Sequence, residues 1–410
     1  MRALLISSGS RGDFQPLLAL AVALKERGHD PLLTGGTSYA AEAAAFGIPF
    51  RVVGMDVKTW MEENHKELDM NPANGAWQLL RQVRREFGIQ LEQCLPLARD
   101  ADVVVGAGAV LAAPTVADAA KKPYVFVAYT PQVFRTRHLA PFLFPVGKLP
   151  GPMNAALWQV AKVIASVTVR PVLDSSRARL GLGYVDDLQE HLFSTRHAIL
   201  ASDSELCPVP PDIALRRAPV GSLELPDDRP LGPEIEAFLD AGPPPVYVGF
   251  GSMPDPEPAR TTRILVDAIR GAGVRALLSR GWAGFAQGEK LPPEILPIGP
   301  VSHRTLFPRC AAIVHHGGAG TTHAALRAGV PQAIVPHAFD QFQFAHWAER
   351  AGVAVPMLPR TRLSWRGLSE RIAHAVSDGS IVERAREAGL RVRARRPLEE
   401  AVRHVEAALR

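Results

Sequence analysis

The sequence predicts an α/β protein with two doubly wound domains, each built around a parallel sheet. Short apolar runs alternate with helical segments from the start of the chain, as in Ala3–Ile6 and the helix that follows it to about Arg27. The alternation begins again at Val246–Phe250 and repeats from there. Strands that alternate with helices build βαβ units, whose strands run in parallel. We therefore expect two Rossmann-like domains in one chain.

A proline-rich segment separates the two series of strands. It begins with Pro208-Val209-Pro210-Pro211 and ends with Pro243-Pro244-Pro245, and such sequence is typical of semi-rigid linkers between domains. A last helix, from about Ile381 to Leu409, follows the second series. The predicted parts of the chain are a first domain over residues 1–207, a linker region over 208–245, a second domain over 246–380 and a C-terminal helix over 381–410.

The composition is that of a globular protein. Of the 410 residues, 47% are hydrophobic and 21% are charged, which leaves enough apolar side chains for large cores. The sequence has no run of 18 uninterrupted apolar residues, and Met1-Arg2 leads into a strand-like run without a signal-peptide pattern. We therefore expect a soluble cytoplasmic protein without stable membrane insertion.

Charge and cysteine content argue against nucleic acid and metal as ligands. The net charge is +5, but the basic segment Arg384–Arg403 lacks the interleaved aromatic residues of a nucleic-acid-binding surface. Cys94, Cys207 and Cys310 are far apart in the sequence, which indicates neither a disulfide framework nor a zinc site. Asp100-Ala101-Asp102 spells a metal-binding D-x-D pattern, but it precedes a predicted strand, whereas open sheets bind ligands at the carboxyl ends of strands.

A glycine-rich segment is the most informative motif. His315-His316-Gly317-Gly318-Ala319-Gly320-Thr321-Thr322 follows an apolar run and leads into a helical segment, which predicts a strand, a tight turn and a helix start. The free N–H groups and positive dipole of a helix start attract phosphate, and glycine lets the backbone approach it closely. The residues that we expect to bind a diphosphate without a metal are His316, Gly318, Gly320 and Thr321.

A second polar cluster follows the next predicted strand. The run from Gln332 to Val335 is followed by His337, Asp340 and Gln341. In an open α/β sheet these side chains would lie at the carboxyl end of the strand, where ligands bind. A carboxylate and an amide suit sugar hydroxyls, so we expect Asp340 and Gln341 to contact a sugar, together with His337.

The N-terminal loop has the same layout of strand, glycine turn and helix. Arg2–Ser8 reads as a strand, Gly9–Pro16 as a turn, and Leu17–Lys25 as an apolar helix. The turn does not match G-x-G-x-x-G, so a dinucleotide-binding fingerprint is not predicted.

These motifs together resemble those of a known family. HHGGAGTT…AGVPQAIVPHAFDQ resembles the donor-sugar signature of inverting GT-B glycosyltransferases, and GSRGDFQPL resembles the first loop of the vancomycin-pathway and sterol glucosyltransferases. The resemblance implies two facing Rossmann-like domains, with the last helix packed back across the first. It also implies that Asp13 is the catalytic base, and that Ser10, Arg11 and Gly12 form a loop for phosphate or acceptor.

Further donor contacts come from the second domain. Ser252 follows a predicted strand and offers another donor to the diphosphate, although a simple strand-ending turn explains Gly251-Ser252 equally well. Arg280-Gly281-Trp282 and Val301-Ser302-His303 resemble the loops that hold the nucleotide base in this family. The resemblance therefore implies base contacts by Arg280, Trp282 and Val301.

The implied function is that of a metal-independent inverting glycosyltransferase without a cofactor, whose co-substrate is a dTDP- or UDP-sugar. The implied acceptor is a hydroxyl of a lipophilic natural-product aglycone, in antibiotic or secondary-metabolite biosynthesis. Sterol or glycolipid acceptors, a sugar-nucleotide epimerase, a catalytically silent partner protein and a homodimer remain open. The aromatic residues that either contact the acceptor or belong to the core are Trp60, Trp77, Phe87, Phe134 and Phe142.

One position bears on the choice of nucleotide. Plant members of the family carry a glutamate eight residues after the phosphate-binding histidine, where it holds the ribose hydroxyls; here that position is Ala324. A 2′-deoxyribose does not need this carboxylate, so we expect dTDP-sugars to be used at least as well as UDP-sugars. His323 is the alternative ribose contact.

Overall fold

Two parallel sheets form the centres of the protein. The computed structural model describes residues 1–60, 72–193 and 197–410, with side chains from residue 84 onward in the helix that begins at Pro72. The first sheet has six strands in the order β3-β2-β1-β4-β5-β6. These strands are β1 (Arg2–Ser8), β2 (Asp30–Gly35), β3 (Phe50–Val52), β4 (Val103–Gly108), β5 (Tyr124–Ala128) and β6 (Ile199–Leu200).

The second sheet has five strands in the order β11-β10-β7-β8-β9. The strands are β7 (Val246–Gly249), β8 (Ala276–Ser279), β9 (Ile295–Ile298), β10 (Ala312–His315) and β11 (Gln332–Ile334). All the strand pairs of both sheets are parallel. The predicted α/β class with two doubly wound domains is confirmed.

Both sheets are covered by helices on both faces, which explains why their strands read as continuous apolar runs. In β1, Leu4 and Ile6 belong to one buried cluster, while Ala3 and Leu5 belong to another on the opposite face. In β7, Tyr247 belongs to one buried cluster, while its neighbours Val246 and Val248 belong to another on the opposite face. The helices of the first domain are α1 (Arg11–Glu26), α2 (Ala40–Ala45), α3 (Pro72–Arg99), α4 (Ala113–Ala120), α5 (Gly151–Thr168), α6 (Arg170–Arg179) and α7 (Leu188–Phe193).

The later helices complete the second domain and return to the first. They are α8 (Pro233–Asp240), α9 (Pro258–Gly271), α10 (His303–Leu306), α11 (Ala319–Ala328), α12 (Gln341–Arg350), α13 (Trp365–Ser377), α14 (Gly379–Arg393) and α15 (Pro397–Ala407). Helix α8 lies within the proline-rich region and packs on the second sheet through Ile235 and Leu239. Regular structure of the second half therefore begins before residue 246.

The single last helix expected over residues 381–409 is in fact two helices. Helix α14 ends at Arg393, and Pro397 opens α15, because proline is favoured in the first turn of a helix and not in its interior. Helix α14 packs in the second domain, whereas Ala401, Val402 and Val405 of α15 are buried against α1.

Among the described helices, none alone has the length and apolar composition to cross a membrane. Helices α5 and α6, which meet at a bend of 46°, satisfy those two criteria only when they are taken together.

Candidate functional site

The glycine-rich segment has the predicted form. Strand β10 ends at His315, helix α11 begins at Ala319, and Gly317 between them has φ of +88°, a conformation that favours glycine. The first N–H groups of α11 have no acceptor within the helix, as in any helix start. The turn thus presents backbone donors and a positive dipole end at the carboxyl edge of the sheet, where an anion can bind.

His315 fixes the shape of this turn, which sequence reasoning did not foresee. Its Nδ1 accepts a hydrogen bond from the Gly317 N–H at 3.0 Å, and its Nε2 lies 2.9 Å from Gln332 Oε1 in β11. An acceptor at Nδ1 requires the tautomer with hydrogen on Nε2, which then donates to Gln332. Burial lowers the pKa of His315 to about 4, which keeps the ring neutral. The paired histidines were the only signal in the sequence.

The ring of His316 lies between two loops of the site. A Cβ at Gly318 would stand 2.4 Å from His316 Nε2, and one at Gly251 would stand 3.1 Å from its Cε1. Both neighbours must therefore be small. The residue is 8% exposed, and its Nδ1 has no hydrogen-bond partner among the described residues. Burial, followed by the neighbouring histidines, holds the pKa of His316 well below its usual value, so it is a neutral donor.

The loops expected to hold the base and the diphosphate meet at Gly251. The Trp282 N–H donates to Gly251 O at 2.9 Å, and Gly251 has φ of +60°. Ser252 and Trp282 are half-buried, while Arg280 is exposed. Val301 is half-buried beside Ser302, whose hydroxyl bonds Asp227 O. The structure thus brings the predicted base loop next to His316.

Of the predicted sugar residues, His337 and Asp340 lie on the loop after β11 and Gln341 is the first residue of α12. Gln341 and His337 also hold the loop in shape. Gln341 Oε1 accepts hydrogen bonds from the N–H groups of His337 (2.8 Å) and Ala338 (3.1 Å), while its Nε2 contacts Met253 Sδ at 3.3 Å. The Nδ1 of His337 donates to Val335 O, and burial lowers the pKa of His337 to about 4. Gln341 therefore shapes the loop that presents its neighbour Asp340.

Asp13 lies in the first turn of α1, which begins at Arg11 and not at Leu17 as predicted. The earlier start comes from a capping box: Asp13 Oδ2 accepts from the Ser10 N–H at 2.8 Å, and Ser10 Oγ accepts from the Gly12 N–H at 3.3 Å. These bonds satisfy the N–H groups of the helix start. The carboxylate is consequently fixed in place.

Two glycines that were not singled out from the sequence make room for this carboxyl group. A Cβ at Gly9 would lie 2.1 Å from Asp13 Oδ2, and one at Gly108 would lie 2.8 Å from Oδ1. Both glycines have positive φ. Burial raises the pKa of Asp13 to about 6, although the bonds from Ser10 oppose the rise. A carboxylate of this kind accepts a proton more readily near neutral pH than an ordinary aspartate does.

Asp13 of the first domain and Asp340 of the second are close enough for their charges to interact. Burial raises the pKa of Asp340 to about 7, and the charge of Asp13 adds to that rise. Burial, and after it the charge of Arg11, lowers the pKa of His303 to about 3. The charges of Asp13 and Arg11 in the N-terminal loop therefore act on residues of the second domain.

The alternative that His323 contacts the ribose is wrong. His323 Nδ1 lies 3.0 Å from Asp203 Oδ2, and the two side chains are 2% and 1% exposed. The ring points from α11 into the junction between the domains because it packs against Phe344 and approaches Ser202 and Cys207. His323 is thus not available to a nucleotide. Ala324, the position at which plant relatives carry the ribose-binding glutamate, is half-buried.

Two of the five aromatic candidates for acceptor contact are buried in the core. Phe87 and Phe134 are 1% and 2% exposed. Trp60 and Phe142 are half-buried, and the side chain of Trp77 lies outside the described residues. Asp102 sits at the amino end of β4, where its carboxylate accepts from the Arg2 N–H. Within the described ranges, no group of three His, Cys, Asp or Glu side chains could hold a metal ion.

Fold and site together define a glycosyltransferase. Residues 3–126 match the family model of the glycosyltransferase family 28 N-terminal domain, and residues 285–407 match that of the erythromycin biosynthesis protein CIII-like C-terminal domain. The chain is 38% identical to glycosyltransferase GtfE and 36% to vancomycin aglycone glucosyltransferase, both of Amycolatopsis orientalis, with 87% of this chain and 85% of each relative covered. The chain belongs to this family of glycosyltransferases.

The chain is also similar to a more distant relative and to solved structures. Sterol 3-beta-glucosyltransferase UGT80A2 of Arabidopsis thaliana is 29% identical, over 92% of this chain and 61% of the plant protein. The glycosyltransferase VinC in complex with dTDP superposes with a TM-score of 0.70 at 20% identity, covering 99% of this chain and all of VinC. The calicheamicin glycosyltransferase CalG4 gives 0.72 at 20% identity, over 100% and 98% of the two chains. These structures confirm the GT-B fold.

Proposed function

We propose that this glycosyltransferase moves a sugar from a dTDP- or UDP-sugar to a hydroxyl group of a lipophilic natural-product aglycone, with inversion at the anomeric carbon. The first domain, residues 1–207, binds the acceptor, and the second, residues 246–380, binds the donor. The observation that carries the proposal is that Asp13, a fixed carboxyl group with a raised pKa, interacts by charge with Asp340 in the domain that carries the phosphate-type turn.

In the proposed reaction Asp13 removes the proton of the acceptor hydroxyl. The oxygen forms a bond to the anomeric carbon from the face opposite the nucleotide, and the bond from that carbon to the diphosphate breaks. Negative charge grows on the departing diphosphate, where the start of α11 and the neutral His316 stabilise it by hydrogen bonding. Preformed donors of this kind take the place that a metal ion holds in other phosphate sites.

Asp340 and Gln341 hold the donor sugar in the proposed complex. Asp340 lies at the start of α12, and its raised pKa lets it act as a hydrogen-bond donor or acceptor to a sugar hydroxyl. Gln341 Oε1 is engaged with the loop backbone, so the contact with the sugar would come from Nε2, which also donates to Met253 Sδ. Trp282, Arg280 and Val301 contact the base, and Ser252 the diphosphate.

A natural-product acceptor is supported by the relatives. One relative, of which 85% is covered, is named for its natural-product acceptor, the vancomycin aglycone. A sterol acceptor is the second candidate, because a sterol glucosyltransferase also aligns over most of this chain. The names of these relatives, which are those of glycosyltransferases, favour transfer to an acceptor over a sugar-nucleotide epimerase.

The experiment is a transfer assay with two donors and two acceptors. The purified enzyme is incubated with UDP-glucose or dTDP-glucose and with vancomycin aglycone or sitosterol, and products are followed by mass spectrometry. We expect a β-glucoside of one acceptor from the α-linked donor, at a rate that changes less than twofold with EDTA. Absence of transfer to both acceptors, an α-linked product, or loss of activity with EDTA would each contradict the proposal.

A further inference from the structure

Phe339 combines two unfavourable properties at the edge of the cleft. Its backbone φ is +52°, in the left-handed region that a bulky residue rarely adopts, and its side chain is 47% exposed. Left-handed backbone strains a residue with a Cβ, and an exposed phenyl ring forgoes the burial that makes aromatic residues stabilising. Asparagine or glycine would occupy the position with less strain. Stability of the fold therefore does not account for phenylalanine here.

The turn that holds Phe339 is fixed on both sides. The Gln341 N–H donates to Ala338 O at 3.3 Å, and the Gln341 side chain accepts from the N–H groups of His337 and Ala338. The backbone around residue 339 is thus determined by its neighbours. The phenyl ring is carried out to solvent as a consequence.

Phe339 is the sequence neighbour of a proposed sugar contact. Phe339 directly precedes Asp340, whose carboxyl group senses the charge of Asp13 in the first domain. The loop that carries Phe339 therefore lies within reach of the charge of Asp13. An acceptor whose hydroxyl reaches Asp13 while a sugar is held at Asp340 would pass close to this position.

We propose that Phe339 is a specificity-determining residue that gives the acceptor aglycone an apolar surface beside the bond that forms. This inference rests on the proposed function, because it assumes an acceptor in the cleft. A lipophilic aglycone would cover the exposed ring and remove its apolar area from water. The gain in acceptor binding offsets the strain that the free enzyme holds at residue 339.

The test compares Phe339→Asn, Phe339→Tyr and a matched control. Asparagine tolerates left-handed backbone but removes the ring, whereas tyrosine keeps both ring and strain. The control is Lys121→Asn, because Lys121 also has a left-handed φ, of +55°, and lies exposed at the end of α4. For each variant we would measure Tm, the KM for vancomycin aglycone or sitosterol, the KM for the donor sugar nucleotide and the Kd for dTDP.

For Phe339→Asn we expect an acceptor KM about five- to twentyfold higher, an unchanged donor KM and dTDP affinity, and a Tm no lower than that of the wild type. Phe339→Tyr should keep the acceptor KM within about twofold. Lys121→Asn should likewise not lower Tm, and should leave all kinetic constants unchanged.

Three results would overturn the proposal. A lower Tm of Phe339→Asn would show that the ring serves the fold, and an acceptor KM within twofold of wild type would show that it does not contact the acceptor. A raised donor KM alone would assign the ring to the donor sugar. If the wild-type enzyme transfers sugar to neither acceptor, the proposed function is wrong, and the proposed contact of Phe339 with the acceptor is wrong as well.

Discussion

His323 Nδ1 lies 3.0 Å from Asp203 Oδ2, and this buried pair joins the helix that carries the phosphate-type turn to the segment that follows β6. Burial alone would raise the pKa of Asp203, but the contact with His323 and the backbone bond from Ser222 bring it below its usual value. The pair thus connects α11 to residues at the end of the first sheet.

Removal of one partner of this pair should destabilise the protein. For Asp203→Ala we expect the free energy of unfolding to fall by about 2–4 kcal/mol, because His323 would be left buried without its carboxylate. Because the folded pKa of Asp203 is depressed, its stabilisation is present above the unfolded pKa and is lost as pH falls through the folded value. Urea unfolding at pH 7 and at about pH 3 checks this, because the folded pKa of Asp203 lies below 3.8. Equal stability of variant and wild type at pH 7 would contradict it.

The pH dependence of stability that comes from Asp13 and Asp340 should be opposite to that from Asp203. Their folded pKa values, about 6 and about 7, are raised, so the folded protein favours the protonated carboxyls and loses stability as pH rises. We expect Asp13→Asn and Asp340→Asn to be more stable than wild type at pH 8 by about 1–3 kcal/mol each, and to have a smaller advantage at pH 5. Thermal or urea unfolding at the two pH values measures the difference. A larger advantage at pH 5 would refute the assignment.

His316→Ala should weaken nucleotide binding and slow transfer together. The same anion is present before the reaction and gains charge during departure, so both steps lose a hydrogen bond. We expect the Kd for dTDP to rise about tenfold and kcat to fall at least as much. Calorimetry and initial rates test this, with His374→Ala on the exposed face of α13 as the control. Unchanged affinity and rate in His316→Ala would show a purely structural histidine.

Nucleotide preference follows from Ala324 and His323. Ala324 offers no carboxylate to a ribose 2′-hydroxyl, and His323 is turned away into the domain junction. The 2′-hydroxyl of a UDP-sugar therefore finds no hydrogen-bond partner at these two positions. We expect dTDP to bind at least as tightly as UDP. Calorimetry with both nucleotides decides the point. A preference for UDP of about tenfold, roughly 1.4 kcal/mol, would mean that another residue reads the ribose.

The two sheets and the glycine turn could be predicted from the sequence because each is specified by residues that are close together in the chain. Parallel strands buried on both faces read as apolar runs, and the turn at Gly317 has its glycines in one stretch. The start of α1 was predicted six residues late because Pro16 and the glycines suggested a turn. The capping box between Ser10 and Asp13 overrides that local preference.

Other parts of the site depend on contacts between distant segments. Gly108 is the last residue of β4, about a hundred residues after Asp13, and only the folded sheet shows that its missing Cβ leaves room for the carboxyl group. The pairing of His323 with Asp203 spans 120 residues and has no motif. His315 was visible as one of two adjacent histidines, but its bond to the Gly317 N–H requires the turn geometry.

Replacement of Asp13 tests most directly whether this residue is the catalytic base. Asp13→Asn keeps the size of the side chain and can still accept the Ser10 N–H, but it cannot take a proton from an acceptor hydroxyl. We expect dTDP affinity near that of wild type, with sugar transfer to the aglycone lowered by about two to four orders of magnitude. Transfer within a few-fold of wild type, measured in the same preparation, would show that Asp13 is not the base.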